Sequence, residues 1–214
     1  MIDPDGLLAI GGTLSTNNLL TAYKNGIFPW YTEGEPILWW SPNARPIIEP
    51  GKIKVSKSLF KTIKKNTFRI SYDNCFDRVV DGCATADVRS DNSWITEEIR
   101  SAYIELHRLG YAHSVECWQG DLLCGGLYGV SLGTIFYGES MFSRIKDASK
   151  VALVDLCQNL IRWGYEIIDC QVTSRHLQSL GAKVISRDQF EGILSENLEK
   201  KPAPNAWCTE LIGR

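Results

Sequence analysis

Between Ala112 and Met141 the chain passes through three stretches of strand character, Ala112–Trp118, Leu122–Val130 and Thr134–Met141, joined only by short glycine-containing turns. A parallel return needs a crossover of a dozen or more residues, so connections this short allow neighbours to pair only in antiparallel fashion. Directly afterwards the apolar period changes: Val151, Leu153, Val154, Leu156, Cys157, Leu160 and Ile161 fall on a strongly apolar helix. A buried strand at Glu166–Val172, a helix to Leu180 and a strand at Lys183–Ser186 follow, which is a strand–helix–strand crossover. A meander and a crossover in one chain predict an α+β fold around a mixed, mainly antiparallel sheet.

Upstream, the pattern predicts a short strand at Pro46–Glu49, a basic helix near Ser56–Lys65 and a strand at Phe68–Tyr72. It then predicts a helix through Asn74–Cys83 and one running from a Thr96 cap to Gly110, with Glu97 and Glu98 in its first turn. Nearer the N-terminus, Ser15 caps a helix carrying Leu19, Leu20 and Tyr23, which Gly26 ends. From Ile27 to Arg45, Phe28, Trp30, Tyr31, Trp39 and Trp40 stand among Pro29, Gly34, Pro36 and Pro42, predicting a loop whose aromatics are fixed by turn chemistry. The boundary placed near Ser41–Arg45 gives a small N-terminal domain, residues 1–43, with this aromatic loop, and a larger domain, 44–214. The stretch from Lys200 to Arg214 reads as a tail partly anchored by Trp207.

Composition narrows the function classes. With 214 residues, 44% hydrophobic and 22% charged, the chain is of ordinary globular make-up. No apolar run approaches the roughly 18 residues that suggest a membrane span, and Met1-Ile2-Asp3-Pro4-Asp5-Gly6 lacks a basic, then apolar, leader. A cytoplasmic location away from the membrane is expected. The seven cysteines contain no Cys-x-x-Cys pair, and the three histidines are not spaced with them as ligands, so reduced thiols and no metal are expected. A net charge of −2 argues against indiscriminate nucleic-acid coating. Yet Lys52, Lys54, Lys57, Lys61, Lys64, Lys65 and Arg69 lie between Gly51 and Tyr72 with no acidic residue among them. That run is either a solvated helix face or a local landing site for a phosphate backbone.

Two polar clusters stand out in apolar surroundings. By strand alternation Glu139 shares a face with Tyr137 and Met141, and Asp169 shares one with Gln171. A carboxylate on a buried strand needs a partner, and so is either a structural acceptor or a functional group.

Asp5-Gly6-Leu7-Leu8-Ala9, Gly11-Gly12, Gly26-Ile27-Phe28-Pro29-Trp30, Trp39-Trp40-Ser41-Pro42, Trp94-Ile95-Thr96, Gly138-Glu139-Ser140-Met141-Phe142-Ser143, Ala148-Ser149-Lys150 and Asp169-Cys170-Gln171 occur in that order. In these stretches, and over nearly its whole length, the chain resembles the bacterial leucyl/phenylalanyl-tRNA–protein transferases. The resemblance implies transfer of leucine or phenylalanine, less often methionine, from aminoacyl-tRNA to proteins beginning with lysine or arginine, marking them for degradation. It also implies a small N-terminal domain and a catalytic domain of the GNAT acyltransferase fold. Departures are modest: the lead before Asp5 is short, Thr13 replaces a common aspartate, and Leu153, Leu156 and Leu160 stand where relatives can carry aromatics. Acetyl-CoA enzymes of that fold cradle pyrophosphate on a glycine-rich loop, where this chain has Arg144-Ile145-Lys146-Asp147-Ala148-Ser149-Lys150, with no glycine and an aspartate that repels phosphate. No cofactor is expected.

On that reading the donor ester is already activated, and the attacking α-amine has a pKa of about 7.7–8.0. Deprotonating it near pH 7 offers only about 1.4 kcal/mol, whereas positioning two reactants is worth about 7–11 kcal/mol. Asp169 and Gln171 are the candidates to hold the amine: the Gln171 oxygen accepts from it, and Asp169 polarises Gln171 or binds the cationic acceptor. Met141, Leu153, Leu156, Leu160 and Ile168 form the expected aminoacyl pocket, the plain alternative for each leucine being helix core. Trp30 and Trp94 flank the terminal adenosine, Glu139 accepts from the adenosine or its ribose, and the basic run from Lys52 to Arg69 touches acceptor-stem phosphates. Two rivals remain: a thiol acyl-enzyme through Cys170 with His113 or His176, and an RNA- or peptide-binding module without turnover.

Overall fold

A computed structural model describes residues 5–86 and 93–208. Met1–Pro4 and 209–214, which bear on the leader and tail expectations, lie outside the described residues. The first elements are β1 (Leu7–Ile10), α1 (Thr16–Lys24), β2 (Phe28–Pro29) and β3 (Leu38–Trp40). Ser15 does cap α1, accepting from the Asn18 N–H. The aromatic segment, however, is not purely irregular: β2 and β3 pair antiparallel, Phe28 opposite Trp40, and β1 joins them in the order β1-β3-β2. Pro29 hid this hairpin, but it lies on an edge strand, where its missing N–H leaves no ladder bond unmade.

Then come β4 (Ala44–Ile48), α2 (Lys57–Lys64), β5 (Arg69–Tyr72), α3 (Phe76–Ala86), α4 (Glu97–Arg108), β6 (Ala112–Gln119), β7 (Leu122–Leu132) and β8 (Ile135–Ser143). They are followed by α5 (Ala148–Trp163), β9 (Ile167–Asp169), α6 (Arg175–Ser179), β10 (Lys183–Ser186) and α7 (Arg187–Asn197). Seven strands form one sheet, ordered β10-β4-β9-β8-β7-β6-β5. Its pairings are antiparallel except β8 with β9, so the α+β fold with a mixed, mainly antiparallel sheet holds. Helix α7 was not anticipated, although Ser186 and Gln189 form a capping box that starts it.

The sheet separates two apolar layers. On one face α1, the small sheet, α3, α4 and α7 bury Leu19, Tyr23, Phe28, Val79, Ile99, Tyr103 and Phe190. On the other, α2 and α5 bury Leu59, Ala152, Leu156, Cys157, Leu160 and Trp163. The N-terminal elements therefore share a core with the large sheet, and the Tyr137 hydroxyl fastens them by donating to the Tyr23 carbonyl at 3.0 Å. Trp207 does anchor the tail: it stacks on His113 at 4.1 Å between centroids and donates to the Tyr165 hydroxyl at 2.8 Å.

Two departures from regular strand geometry matter for function. Gly129 pairs with Gly138 but Tyr128 pairs with Ser140, so Glu139 is an extra residue, a β-bulge. Side-chain alternation shifts there, placing Tyr137 and Phe142 in the first layer and Phe136 and Met141 in the second. Glu139 thus does not share one face with both Tyr137 and Met141, as strict alternation implied. Likewise β9 stops at Asp169 rather than Val172, because Gln171 takes a left-handed backbone, φ 59°. Asp169 and Gln171 are not alternate residues of one strand face.

Candidate active site

The parallel β8–β9 ladder ends at the pair Tyr137–Asp169. Beyond it the bulge on β8 and the left-handed turn after β9 prevent further pairing, and the strands part. A cavity of about 110 Å³ opens there, lined by Gly138, Glu139, Ser140 and Met141 of β8 and by Ile168 and Cys170. Leu127, Phe136, Leu153, Leu177 and Ile48 complete an apolar wall. Its size is comparable with the roughly 150 Å³ hole that accepts benzene, so it suits one aliphatic or aromatic side chain.

Glu139 gives the cavity its carboxylate, and behind it Gln171 and Asp169 continue a polar network. Arg45 of β4 donates from Nε and Nη2 to the two oxygens of Asp169, at 2.8 and 2.7 Å. Oδ1 of Asp169 also accepts the Gln171 backbone N–H at 2.9 Å. Asp169 is 0% and Arg45 1% exposed, so Asp169 offers no free face to an incoming cation, and the direct acceptor contact expected of it is not available in this arrangement. The Gln171 side chain turns instead towards Glu139, donating from Nε2 to Oε1 at 2.7 Å. An amide whose NH₂ is committed in this way has its oxygen set on the opposite side, free to accept.

Glu139 lacks a cationic partner among the described residues. Besides Gln171 it accepts from the Tyr23 hydroxyl at 2.8 Å and from the Tyr103 hydroxyl at 2.9 Å, and the two phenol oxygens lie against each other. Burial pushes its carboxyl up to about 7, with Asp169 adding to the rise and the three donors opposing it. Burial, reinforced by the Glu139 charge, pushes both phenols well above the ordinary tyrosine range, so they remain donors. The Glu139 oxygens are thus engaged by the protein's own groups, while the side chain, half-buried, also lines the cavity.

The remaining candidates are dispersed. Met141, Leu153 and Ile168 line the cavity; Leu156 and Leu160 are fully buried in the α5 core and do not. Ile48, Leu127, Phe136 and Leu177 were missed, because periodicity marks an apolar face without distinguishing packed wall from open wall. Trp30 is 44% exposed beside Trp40, and Trp94 is half-buried before α4; neither lines the cavity. Lys52, Lys54, Lys57, Lys61, Lys64, Lys65 and Arg69 are all exposed on and around α2, with Lys52 paired to Glu49 and Arg69 over Trp118. Burial, together with Asp169, pushes the Cys170 thiol upward, and His113 is engaged by Asp73 at 2.7 Å, so the thiol route lacks both a thiolate and that base. At the start of α5, Asp147 faces Lys150 at 3.2 Å where a phosphate-binding loop needs open backbone donors. Among the described residues no group of three or more His, Cys, Asp or Glu side chains is placed to hold a metal, and no helix is long and apolar enough to cross a membrane.

Residues 47–195 match the family signature described as leucyl/phenylalanyl-tRNA protein transferase, and residues 12–43 match that family's N-terminal domain. The leucyl/phenylalanyl-tRNA–protein transferase of Hydrogenovibrio crunogenus is 51% identical over 99% of this chain and 83% of its own. Those of Methylococcus capsulatus (51% identical, 96% of this chain, 87% of its own) and Thermodesulfovibrio yellowstonii (53%, 96% and 84%) are similar to the same extent. The parted strands, the carboxamide between two carboxylates and the apolar cavity thus occur in a chain that belongs to the leucyl/phenylalanyl-tRNA–protein transferase family.

Proposed function

We propose that this protein is a cytoplasmic aminoacyltransferase that moves leucine or phenylalanine, less often methionine, from aminoacyl-tRNA to the N-terminal amine of proteins beginning with lysine or arginine, marking them for degradation. The observation that carries this reading is the Gln171 carboxamide, oriented by Glu139, which itself lines a cavity sized for one apolar side chain. The aminoacyl side chain fills the cavity against Met141, Leu153 and Ile168, bringing its ester carbonyl to the rim. The Gln171 oxygen accepts an N–H of the acceptor's neutral amine and aims the nitrogen lone pair at that carbonyl. The new C–N bond forms, the ester C–O bond breaks, and the ribose oxygen leaves with the proton that the amine gives up.

Positioning supplies most of the acceleration, since an oriented pair gains about 7–11 kcal/mol while deprotonating the amine costs only about 1.4 kcal/mol near pH 7. Asp169 acts from behind Gln171. Trp30 and Trp94 offer faces for the terminal adenosine, and the exposed lysines around α2 offer charge for acceptor-stem phosphates. Rejection of valine and isoleucine relies on shape near the β-carbon, because one methylene is worth only about 1–3 kcal/mol.

The test is incubation with labelled leucyl-tRNA and an arginine-starting peptide. Label in peptide linkage, with a rate that falls steeply as salt rises, is the expected result. Complex formation without label transfer would make the protein a binding module.

A further inference from the structure

The transferase reading leaves open what Arg45 and Asp169 contribute. A general base needs an exposed lone pair, yet Asp169 is 0% exposed and its oxygens accept from two Arg45 nitrogens and the Gln171 N–H. Arg45 is equally committed. Its guanidinium lies between the rings of Phe28 and Phe190, 4.9 and 4.5 Å from their centroids, and its Nη1 has no hydrogen-bond partner among the described residues. The fork therefore serves Asp169 alone. Gln171, in turn, occupies a backbone region that a residue with a Cβ seldom adopts, at φ 59°. Its own N–H, bonded to the carboxylate two residues earlier, closes the Asx-type turn that makes this conformation local and reproducible. That turn carries the side chain off the line of β9 and onto Glu139.

We propose that Arg45 is a positioning residue for the transfer reaction: with Asp169 it forms a neutral, enclosed clamp that holds the left-handed turn at Gln171 and thereby aims its amide. On this view, which rests on the transferase reading above, Asp169 neither takes a proton nor touches the acceptor. Tyr23, Tyr103, Tyr128 and Asp169 are the titratable groups around Glu139 on the far side of Gln171, and Arg45 reaches none of them except Asp169. Removing the clamp therefore changes geometry, and its one electrostatic effect on Glu139 is to withdraw the Asp169 charge, which lowers that carboxyl without abolishing its titration.

Because deleting one partner strands a buried charge, both partners are replaced together. In Arg45→Gln/Asp169→Asn the new carboxamide oxygen at 169 still accepts the Gln171 N–H while its NH₂ faces the carboxamide at 45. In Arg45→Met/Asp169→Leu the volume is kept and the acceptor is lost. The carboxamide pair is expected to lose about tenfold in kcat and the apolar pair about a thousandfold, since misplacement by about 1 Å already costs about a hundredfold. In both, KM for charged tRNA stays near that of the parent, and the pH–rate profile keeps its acid limb, moved to lower pH by the loss of the Asp169 charge. Equal, near-complete loss in the two pairs, or disappearance of the acid limb in the carboxamide pair, makes Asp169 a base and overturns the proposal. Parent-like kcat in a folded apolar pair overturns it from the other side. If neither pair folds, Arg45→Lys, which keeps the charge but not the fork, decides: a fall in kcat at constant KM supports the clamp and an unchanged kcat refutes it. Absence of transfer by the parent protein itself is a different result, and refutes the transferase reading.

Discussion

The two banks of the cleft hold the same chemical group in opposite electrical circumstances. Asp169, on the β9 side, is enclosed with a guanidinium; Glu139, on the β8 side, is enclosed with two phenols and a carboxamide. A buried carboxylate with a matched cation is held by two parallel charge-assisted hydrogen bonds. One that has only neutral donors pays for desolvation without a compensating charge, and its carboxyl rises to about 7. Gln171 is bonded to both, by its backbone to the first and by its side chain to the second. One bank sets the shape of the turn, and the other sets the direction of the amide and makes it sensitive to pH.

The largest expected effect breaks the β8 bank outright. Glu139→Ala removes the acceptor for Gln171 and both phenols, and transfer should fall by about 10²–10³ at constant affinity for leucyl-tRNA, read from single-turnover rates and filter binding. A loss of tRNA affinity at constant rate would instead return Glu139 to the adenosine.

Next in size is a stability effect of opposite sign. Folding raises the Glu139 carboxyl from 4.5 to about 7, so in that interval the native state holds more protons than the unfolded chain. Its contribution to stability therefore falls as pH rises from about 4.5 to about 7 and is flat above, by at most about 3 kcal/mol. Glu139→Gln should gain about 1–3 kcal/mol at pH 8, little at pH 4.5, while losing activity, as urea unfolding at the two pH values would reveal.

The smallest change tunes the same bank. Tyr103→Phe or Tyr23→Phe removes one donor to the carboxylate, and the acid limb of the transfer rate should move upward by about half to one pH unit. An unmoved limb would mean that the limb belongs to the acceptor amine alone.

How much of this was legible depended on the range of the cause. The meander, the α5 helix and the caps at Ser15 and Thr96 follow from short turns, apolar period and local hydrogen bonding, all visible within a few residues. The α7 start is equally local, in the capping box of Ser186 and Gln189. The bulge was different: only the β7 register shows that Glu139 is the extra residue. Gln171 gave no sign of a left-handed turn, since its acceptor is created by a fold that also brings Arg45 to Asp169. A lone arginine beside Pro46 looks like a solvent residue until the aspartate 124 positions later is found beneath it. Leu156 and Leu160 fit the apolar period as well as Leu153 does, and only the sheet decides which of them faces empty space.

The bonds that close the centre join residues 116 and 124 positions apart, and one of them begins in α1, close to the start of the chain. Such a centre has no local precursor: no helix or hairpin formed early in synthesis contains even half of it. Catalysis should consequently be among the first properties lost under mild denaturant, while the meander is still intact, and turnover becomes an assay for completion of the fold rather than for any single element of it.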